Sequence, residues 1–382
     1  MNGAKTVIRV VIVDDSGFMR RAIAKMLAAA DDIEVVGTAA TGEEGVAMER
    51  DLRPDLVTMD VEMPGMGGLE AARAIIARRS APVIMISSLT RDGAETTLRA
   101  LEIGAVDFIP KPDSATIDIL RVKDDLIEKI RFFGGRSVRL RALTARPAVA
   151  PAPPVRPLAA AAAPPSAAAE SPRPAARLPV AAARRVGTFE CVALGTSTGG
   201  PVALATILPK LPAAFPLPIV IVQHMPPGFT RALAERLNAS SAITVVEGES
   251  GMRLQAGTAI IAPAGKQMTV RRAGRAVEVR LDADVKGSLH VPSVDVLAAS
   301  VGETFAAAAL GVILTGMGHD GVAGLTVLKQ HGGYVIGQDE ASSVVYGMPR
   351  AAAVAGLVDR VAALNDVART LCDICGTAYV AR

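Results

Sequence analysis

The sequence predicts an α/β protein made of two parallel-sheet domains that are joined by an extended segment. Short apolar runs alternate with helical stretches in both halves of the chain, which is typical of parallel strands covered by helices. An Ala- and Pro-rich stretch separates the two regions, and 382 residues are too many for one ordinary core. We therefore expect domains at residues 1–135 and 188–382, with residues 136–187 as an extended, disordered linker.

The first domain is expected to contain a doubly wound sheet of five strands. Each strand is a short run of Val, Ile, Leu or Met between turn or helix signals. The runs cover residues 10–13, 35–36, 56–59, 83–86 and 106–109. Helices are expected between them, for example over residues 18–29 and 69–77.

The second domain is expected to be larger and again doubly wound, with one departure from the alternation. Strands are predicted near residue 192 and over 218–222, 311–314 and 334–336, with helices such as 230–237 and 323–331. Residues 267–281 alternate Val and Arg around Ala273-Gly274-Arg275. This pattern predicts an antiparallel hairpin.

Composition restricts the classes of function. Half of the residues are hydrophobic and the net charge is only +3, so neither nucleic acid nor an anionic membrane is expected as a partner. No apolar run is long enough to span a bilayer, so no membrane insertion is expected. The N-terminus lacks a secretion signal and three cysteines make no disulfide framework, which favours a cytoplasmic location.

Three carboxylates are predicted to share one pocket of the first domain. Asp14 and Asp15 end the first strand, and Asp60 ends the third. Carboxylates that crowd together repel one another unless a hard cation lies among them, and Mg²⁺ suits this setting. Ser87 ends the fourth strand and Lys111 follows the fifth, so the group is suited to accepting a phosphoryl group.

With these residues in place, positions 7–133 resemble a response-regulator receiver domain. The resemblance implies phosphorylation at Asp60, with Mg²⁺ held by Asp15 and Asp60 and assisted by Asp14. It further implies that Lys111 holds the phosphoryl oxygens and that Ser87 and Phe108 form the switch. One departure is Gly67, where the family frequently has Asp.

The second domain carries a candidate serine nucleophile. Ser197 lies in Gly195-Thr196-Ser197-Thr198-Gly199-Gly200 after an apolar strand, a setting that raises a hydroxyl above the edge of a sheet. His224 follows a second buried strand, and Asp320 follows a third. A hydroxyl, an imidazole and a carboxylate at the ends of parallel strands can converge, which predicts a serine hydrolase. An α/β-hydrolase arrangement would instead use His331 as the base.

These motifs, in this order, make residues 188–370 resemble the catalytic domain of chemotaxis protein-glutamate methylesterases. Further matching motifs are Gln223-His224-Met225-Pro226, His290-Val291-Pro292-Ser293-Val294-Asp295 and Leu314-Thr315-Gly316-Met317-Gly318. The resemblance implies that Ser197, His224 and Asp320 are catalytic and that the backbone N–H groups of Thr198 and Met317 form the oxyanion hole. It implies no cofactor for the esterase. His319 replaces an Asn that is common in the family.

The resemblance also implies substrates and partners. The expected reaction is hydrolysis of glutamate methyl esters on methyl-accepting chemotaxis receptors, with deamidation of selected receptor glutamines. A chemotaxis histidine kinase is the expected phosphodonor, and the receiver is expected to cover the catalytic crevice until it is phosphorylated.

Two other classes of protein compete with this interpretation. A transcriptional regulator would carry a short, basic, helical second domain, whereas this one is long and Gly-rich. A catalytically silent docking protein would keep the fold but lose site residues, whereas all three triad positions are filled.

Overall fold

The computed structural model describes residues 7–111, 119–144, 189–283 and 289–379. Most of the predicted linker lies outside these ranges. Within the described residues the chain forms two parallel sheets, each with helices on both faces, and a separate antiparallel pair of strands. The predicted α/β class with two parallel-sheet domains and a hairpin is therefore confirmed.

The first sheet has five parallel strands in the order β2-β1-β3-β4-β5. Its strands are β1 (Ile8–Val13), β2 (Ile33–Ala39), β3 (Leu56–Asp60), β4 (Val83–Ser87) and β5 (Asp107–Pro110). Its helices are α1 (Gly17–Leu27), α2 (Gly42–Leu52), α3 (Gly68–Ala77), α4 (Arg91–Glu102) and α5 (Ile119–Thr144). Helix α5 continues beyond position 135, so the first residues of the predicted linker are helical.

The second sheet has seven parallel strands in the order β14-β13-β12-β6-β7-β9-β8. These are β6 (Cys191–Thr196), β7 (Ile219–Gln223), β8 (Thr244–Glu247), β9 (Thr258–Ile261), β12 (Ala309–Ile313), β13 (Tyr334–Gln338) and β14 (Arg360–Ala362). The predicted hairpin is β10 (Gln267–Ala273) with β11 (Ala276–Asp282). Strand β6 lies at the centre, hydrogen-bonded to β12 on one side and β7 on the other.

Helices cover both faces of the second sheet. They are α6 (Gly200–Ile207), α7 (Phe229–Ser240), α8 (Val294–Phe305), α9 (Val322–Gln330), α10 (Met348–Val354) and α11 (Leu364–Cys375). No helix in the described part of the chain is long and apolar enough to cross a membrane.

The helices that follow β6, β7 and β12 begin in a distinctive way. Each starts after a glycine in the left-handed region: Gly199 at φ 78° before α6, Gly228 at φ 88° before α7, and Gly321 at φ 105° before α9. Glycine takes this conformation without a Cβ penalty. Three tight strand-to-helix turns therefore lie together along one edge of the second sheet.

The two domains pack against each other through α4 and β5 of the first and α6 and α7 of the second. Phe108 stacks on Phe229 with ring centroids 4.7 Å apart. Arg91 pairs with Glu235 at 2.9 Å, and Arg236 forms a two-point ion pair with Glu102. The contact thus combines a buried aromatic pair with a charged rim.

Candidate active site

The structure brings the three carboxylates of the first domain together. Ligand oxygens of Asp14, Asp15 and Asp60 all lie within 4.8 Å of one another, with Asp14 and Asp60 buried and Asp15 exposed. Lys111 Nζ is 2.7 Å from Asp60 Oδ2 and 3.8 Å from Asp14 Oδ2. The structure therefore contains the predicted acidic pocket, with the Lys111 ammonium group beside it.

This pocket suits a hard divalent cation, which a receiver domain requires for phosphorylation in general. Burial and the nearby charge of Asp60 raise the pKa of Asp14 to about 6. Burial also raises the pKa of Asp60, although Lys111 opposes that effect. Asp14 Oδ2 is buried and accepts no hydrogen bond from the residues that the structure describes. An orphaned carboxylate oxygen among crowded acids matches a Mg²⁺ ligand set of Asp14, Asp15 and Asp60.

The two predicted switch residues contact different parts of the structure. The Ser87 hydroxyl donates to Gly93 O at 3.2 Å and accepts from Thr97 Oγ1 at 2.8 Å, which ties it to α4. Phe108 is buried and faces the second domain through its stack on Phe229. The structure therefore links the fourth and fifth strands of the receiver sheet to the domain contact.

Ser197, His224 and the segment that carries Asp320 follow three adjacent strands. Ser197 comes directly after β6 and His224 after β7, while Asp320 lies in the turn after β12. The Ser197 N–H donates to Thr315 O at 3.0 Å, and the His224 N–H donates to Thr196 O at 3.2 Å. The carboxyl ends of parallel strands meet at one edge, so the three residues lie along the same edge of the sheet.

Close backbone approach fixes the turn that contains Ser197. A Cβ built on Gly316 would lie 2.9 Å from Ser197 Cβ and 2.2 Å from Met348 Sδ. Real Cβ atoms do not approach so closely, and only glycine fits between the serine and the methionine. The turn after β12 is thereby held directly against the serine.

His224 and Asp320 form a short hydrogen bond through one specific edge of the imidazole. His224 Nε2 lies 2.7 Å from Asp320 Oδ2. An ionised carboxylate only accepts hydrogen bonds, so the proton of the neutral ring belongs on Nε2. The other nitrogen, Nδ1, then carries the free lone pair and is the basic atom of the ring.

Asp320 is held as an anion by the start of helix α8. Oδ2 accepts from the Val294 N–H at 2.7 Å, while Oδ1 accepts from Ser293 Oγ at 2.9 Å and from the Asp295 N–H at 3.1 Å. Burial alone would raise the pKa of Asp320, but His224 and the backbone donors hold it well below its usual range. The helix N-terminus adds to this effect because its dipole favours negative charge.

Asp295 in turn caps the N-terminus of helix α9 with its carboxylate. Its Oδ1 accepts from the N–H groups of Gly321 and Gly324 at 2.9 and 2.8 Å. Burial raises the pKa of Asp295, and the neighbouring Asp320 adds to the increase. Asp320 thus caps α8, the helix that carries Asp295, and Asp295 caps α9, the helix that follows Asp320. These two caps fix the loop of Asp320.

The remaining histidines occupy different positions. His331 Nδ1 lies 3.0 Å from Val327 O at the end of α9, and the imidazole that pairs with Asp320 is that of His224. His319 is exposed. His290 stacks on His224, with ring centroids 4.2 Å apart and 12° between the planes. The arrangement favours His224 over His331 as the partner of the carboxylate.

The first domain reaches the segments that carry the two predicted oxyanion donors. Asp107 Oδ2 accepts from Thr198 Oγ1 at 2.7 Å in a buried contact. Met317 packs against an apolar cluster that joins Val345 to Ile130 and Phe133 of α5, and Arg136 of α5 donates to Val344 O at 3.3 Å. In the described part of the chain, the N–H groups of Thr198 and Met317 donate to no backbone carbonyl. Both N–H groups therefore remain available beside the serine.

Sequence reasoning missed several residues that shape this site. Ser293 and Asp295 belong to one of the matching motifs, but only the fold places them on the loop of Asp320. The sequence places Gln267 only in the hairpin, yet its amide bonds to His290 O and to the Ser293 N–H. The Asp107–Thr198 contact joins two domains, so no local pattern could have indicated it.

The fold and the site define a class of protein: a response regulator in which a receiver sheet packs on a larger α/β domain with a hydrolase-like site. The family model for the response regulator receiver domain matches residues 10–120. The family model for CheB methylesterase matches residues 192–371.

Two relatives agree with these matches over nearly the whole chain. A protein-glutamate methylesterase/protein-glutamine glutaminase of Oleidesulfovibrio alaskensis is 46% identical over 95% of this chain and 98% of its own length. A second protein of that name from Nitratidesulfovibrio vulgaris is 48% identical with the same coverage. The crystal structure of the Thermotoga maritima CheB methylesterase catalytic domain is 39% identical, covers 48% of this chain and 98% of that one, and has a TM-score of 0.48.

The chain therefore belongs to the CheB methylesterase family, and it is a response regulator whose enzymatic domain is a hydrolase of the methylesterase class.

Proposed function

We propose that this chain hydrolyses methyl esters on glutamate side chains of methyl-accepting chemotaxis receptors and deamidates selected receptor glutamines. The observation that carries the proposal is the His224–Asp320 pair beside Ser197, at the edge formed by β7, β6 and β12. The names of the full-length relatives support the substrate class. A cytoplasmic location is part of the proposal, since the receptor segments to be demethylated would be met there.

The proposed mechanism assigns a role to each site residue. Ser197 Oγ attacks the ester carbonyl carbon while His224 Nδ1 takes the hydroxyl proton. Asp320, bonded to Nε2, stabilises the imidazolium that forms. The Thr198 and Met317 N–H groups bind the oxyanion, and one such donor is worth about 3 kcal/mol in similar hydrolases.

Collapse of the tetrahedral intermediate completes the first half of the reaction. The imidazolium returns its proton to the leaving oxygen, methanol departs, and an acyl-serine remains. Water then attacks the acyl-serine with His224 again as base, which regenerates Ser197 and leaves a glutamate carboxylate. With a glutamine substrate the leaving group is ammonia in place of methanol.

The catalytic assignment is tested on methylated receptor fragments. Wild type should release methanol and convert the methylated positions to glutamate, as mapped by mass spectrometry, whereas Ser197→Ala should release none. A matched control is Ser293→Ala, which keeps the nucleophile and removes one donor to Asp320 and the N-cap of α8. Methanol release by Ser197→Ala at the wild-type rate would refute the proposed function.

The same proposal includes regulation by the first domain. A chemotaxis histidine kinase would be the phosphodonor for Asp60. Lys111 would bind the phosphoryl oxygens, and Asp14, Asp15 and Asp60 would hold the Mg²⁺ ion that the transfer requires. The receiver contacts Thr198 through the Asp107 hydrogen bond, and its helix α5 contacts Val344, which lies next to the residue that accepts the Gly316 N–H. A change at Ser87 and Phe108 on phosphorylation would therefore act on the segments next to Ser197.

The contribution of the Asp107 contact is tested with full-length protein. Asp107→Ala removes the acceptor of the buried Thr198 hydroxyl, a bond to a charged group worth about 1.5–3 kcal/mol. The unphosphorylated variant should hydrolyse faster than unphosphorylated wild type and respond less to a phosphodonor. Arg91→Ala is the control because its exposed pair with Glu235 belongs to the rim of the same contact. Equal basal rates in wild type and Asp107→Ala would refute this role of the bond.

The domain limits remain part of the proposal: a receiver over residues 1–135, a linker over 136–187 and the esterase domain over 188–382. The family matches at 10–120 and 192–371 lie inside the two outer units. Limited proteolysis should cut first between residues 145 and 187, because Ala- and Pro-rich chain has no apolar face to bury.

A further inference from the structure

His290, an exposed residue, stacks face to face on His224. The two ring centroids are 4.2 Å apart and the planes differ by 12°. His224 itself is half-buried, and its Nε2 edge is bonded to Asp320. The imidazole of His224 is thus held at one edge by a hydrogen bond and on one face by a second imidazole.

The two contacts restrain different motions of the ring. The Cβ–Cγ bond and the hydrogen bond from Nε2 to Asp320 together restrain where the ring lies, but they resist tilting of the ring plane only weakly. A flat group stacked on one face fixes the plane. Attack by Ser197 requires Nδ1 to face the serine, and small errors in such geometry are costly in rate.

The segment that carries His290 is itself rigidly held. Gln267, which is fully buried, donates from Nε2 to His290 O at 2.7 Å and accepts the Ser293 N–H on Oε1 at 2.8 Å. Ser293 Oγ then donates to Asp320 Oδ1 at 2.9 Å. One amide side chain therefore sets the spacing between the stacking ring and the residue that orients the carboxylate.

We propose that His290 is a positioning residue that fixes the plane of the His224 ring, so that Nδ1 faces Ser197. The proposal rests on the proposed function, because it concerns the base of that reaction. His290 supplies a flat face; it takes no proton and makes no bond to substrate. A phenyl ring at position 290 should therefore perform the same task, and a methyl group should not.

The kinetic test compares His290→Ala and His290→Phe with wild type in the full-length protein. The stabilising free energy of a stacked aromatic pair corresponds to a change in rate of about 2- to 12-fold. His290→Ala should lower kcat by that factor with KM unchanged, and His290→Phe should restore most of kcat. His331→Ala is the matched control, since that histidine lies at the far end of α9 and should leave both constants unchanged. A rise in KM with kcat unchanged, or no rescue by Phe, would overturn the proposal.

A second measurement does not depend on activity. The chain has only four histidines, so its imidazole proton resonances can be assigned by substitution. Stacking predicts a displaced His224 resonance that moves in His290→Ala and stays displaced in His290→Phe. An unmoved resonance in His290→Ala overturns the proposal even if the enzyme is active. A moved resonance in a protein whose hydrolysis proves independent of Ser197 would instead reject the proposed function while keeping the contact.

Discussion

Replacing Asp320 by Asn changes the chemistry of the site while keeping its shape. The carboxylate accepts four hydrogen bonds, two on each oxygen: from His224 and Val294 on Oδ2, and from Ser293 and Asp295 on Oδ1. An amide has one oxygen and one NH₂ group, so whichever way it lies the NH₂ faces two groups that donate to Asp320, and the backbone N–H of that pair cannot turn to accept.

Either orientation of the amide damages the base. With NH₂ beside His224, the neutral ring must carry its proton on Nδ1, and the lone pair that should accept the serine proton is lost. With NH₂ beside Ser293 and Asp295, the bond to His224 survives but the imidazolium loses its anionic partner. The equivalent change in a trypsin-type triad costs about 10⁴ in kcat, so we expect a loss of about 10³–10⁴ here, or about 4–5.5 kcal/mol.

The assay is the steady-state release of methanol from methylated receptor membranes by wild type, Asp320→Asn and Ser293→Ala. Thermal melting monitors the fold of each variant. Ser293→Ala removes one hydroxyl donor to the Asp320 carboxylate together with the N-cap of α8, and it should cost about 10- to 150-fold, since a hydrogen bond to a charged group contributes about 1.5–3 kcal/mol. A folded Asp320→Asn protein that keeps more than a tenth of wild-type kcat would refute the assignment of Asp320 as the acid.

Two further predictions concern charge and backbone approach. Because the folded pKa of Asp14 is about 6 and therefore above its unfolded value of 3.8, the ionised carboxylate destabilises the receiver above pH 6 and has no effect below pH 4. Asp14→Asn should accordingly raise the free energy of unfolding of the metal-free protein by up to about 3 kcal/mol at pH 7.5 and by nothing at pH 3.5. It should also weaken the stabilisation by Mg²⁺. Equal gains at both pH values in chemical denaturation would contradict this prediction. Gly316→Ala places a methyl group 2.9 Å from Ser197 Cβ, so we expect at least a hundredfold loss of methanol release. Gly318→Ala is the control: its φ is 76°, but its added Cβ meets nothing within 4 Å, so it should lose much less activity. Similar rates for the two alanine variants would argue against the close packing of Gly316 on the serine.

The elements that the sequence predicted best are those with continuous apolar runs. Strands β1, β3, β4, β7 and β13 lie within one or two residues of their predicted limits, because strands buried on both faces contain little else than Val, Ile, Leu and Met. Strands β8, β9 and β14 were not predicted. They are three or four residues long, and β8 and β14 carry exposed residues at the edges of the sheet.

The site was predictable where each residue follows its own strand. Ser197, His224 and Asp320 each lie after a buried strand, and the order of the strands brings them to one edge. Which edge of the imidazole meets the carboxylate depends on how the start of α8 holds Asp320 in three dimensions, and the motifs around His224 and Ser293 do not indicate it. The Asp107–Thr198 and His290–His224 contacts depend on packing between distant segments, so only the structure reveals them.

The most direct test of the account is methanol release from methylated receptor membranes by full-length wild type, with and without a small phosphodonor and Mg²⁺, beside Asp60→Asn and Ser197→Ala. The account predicts release that the phosphodonor increases in wild type, that stays at the basal rate in Asp60→Asn, and that is absent in Ser197→Ala. Release that needs Ser197 but is equal with and without phosphodonor would contradict regulation by the receiver. Release that persists in Ser197→Ala would contradict the esterase site itself.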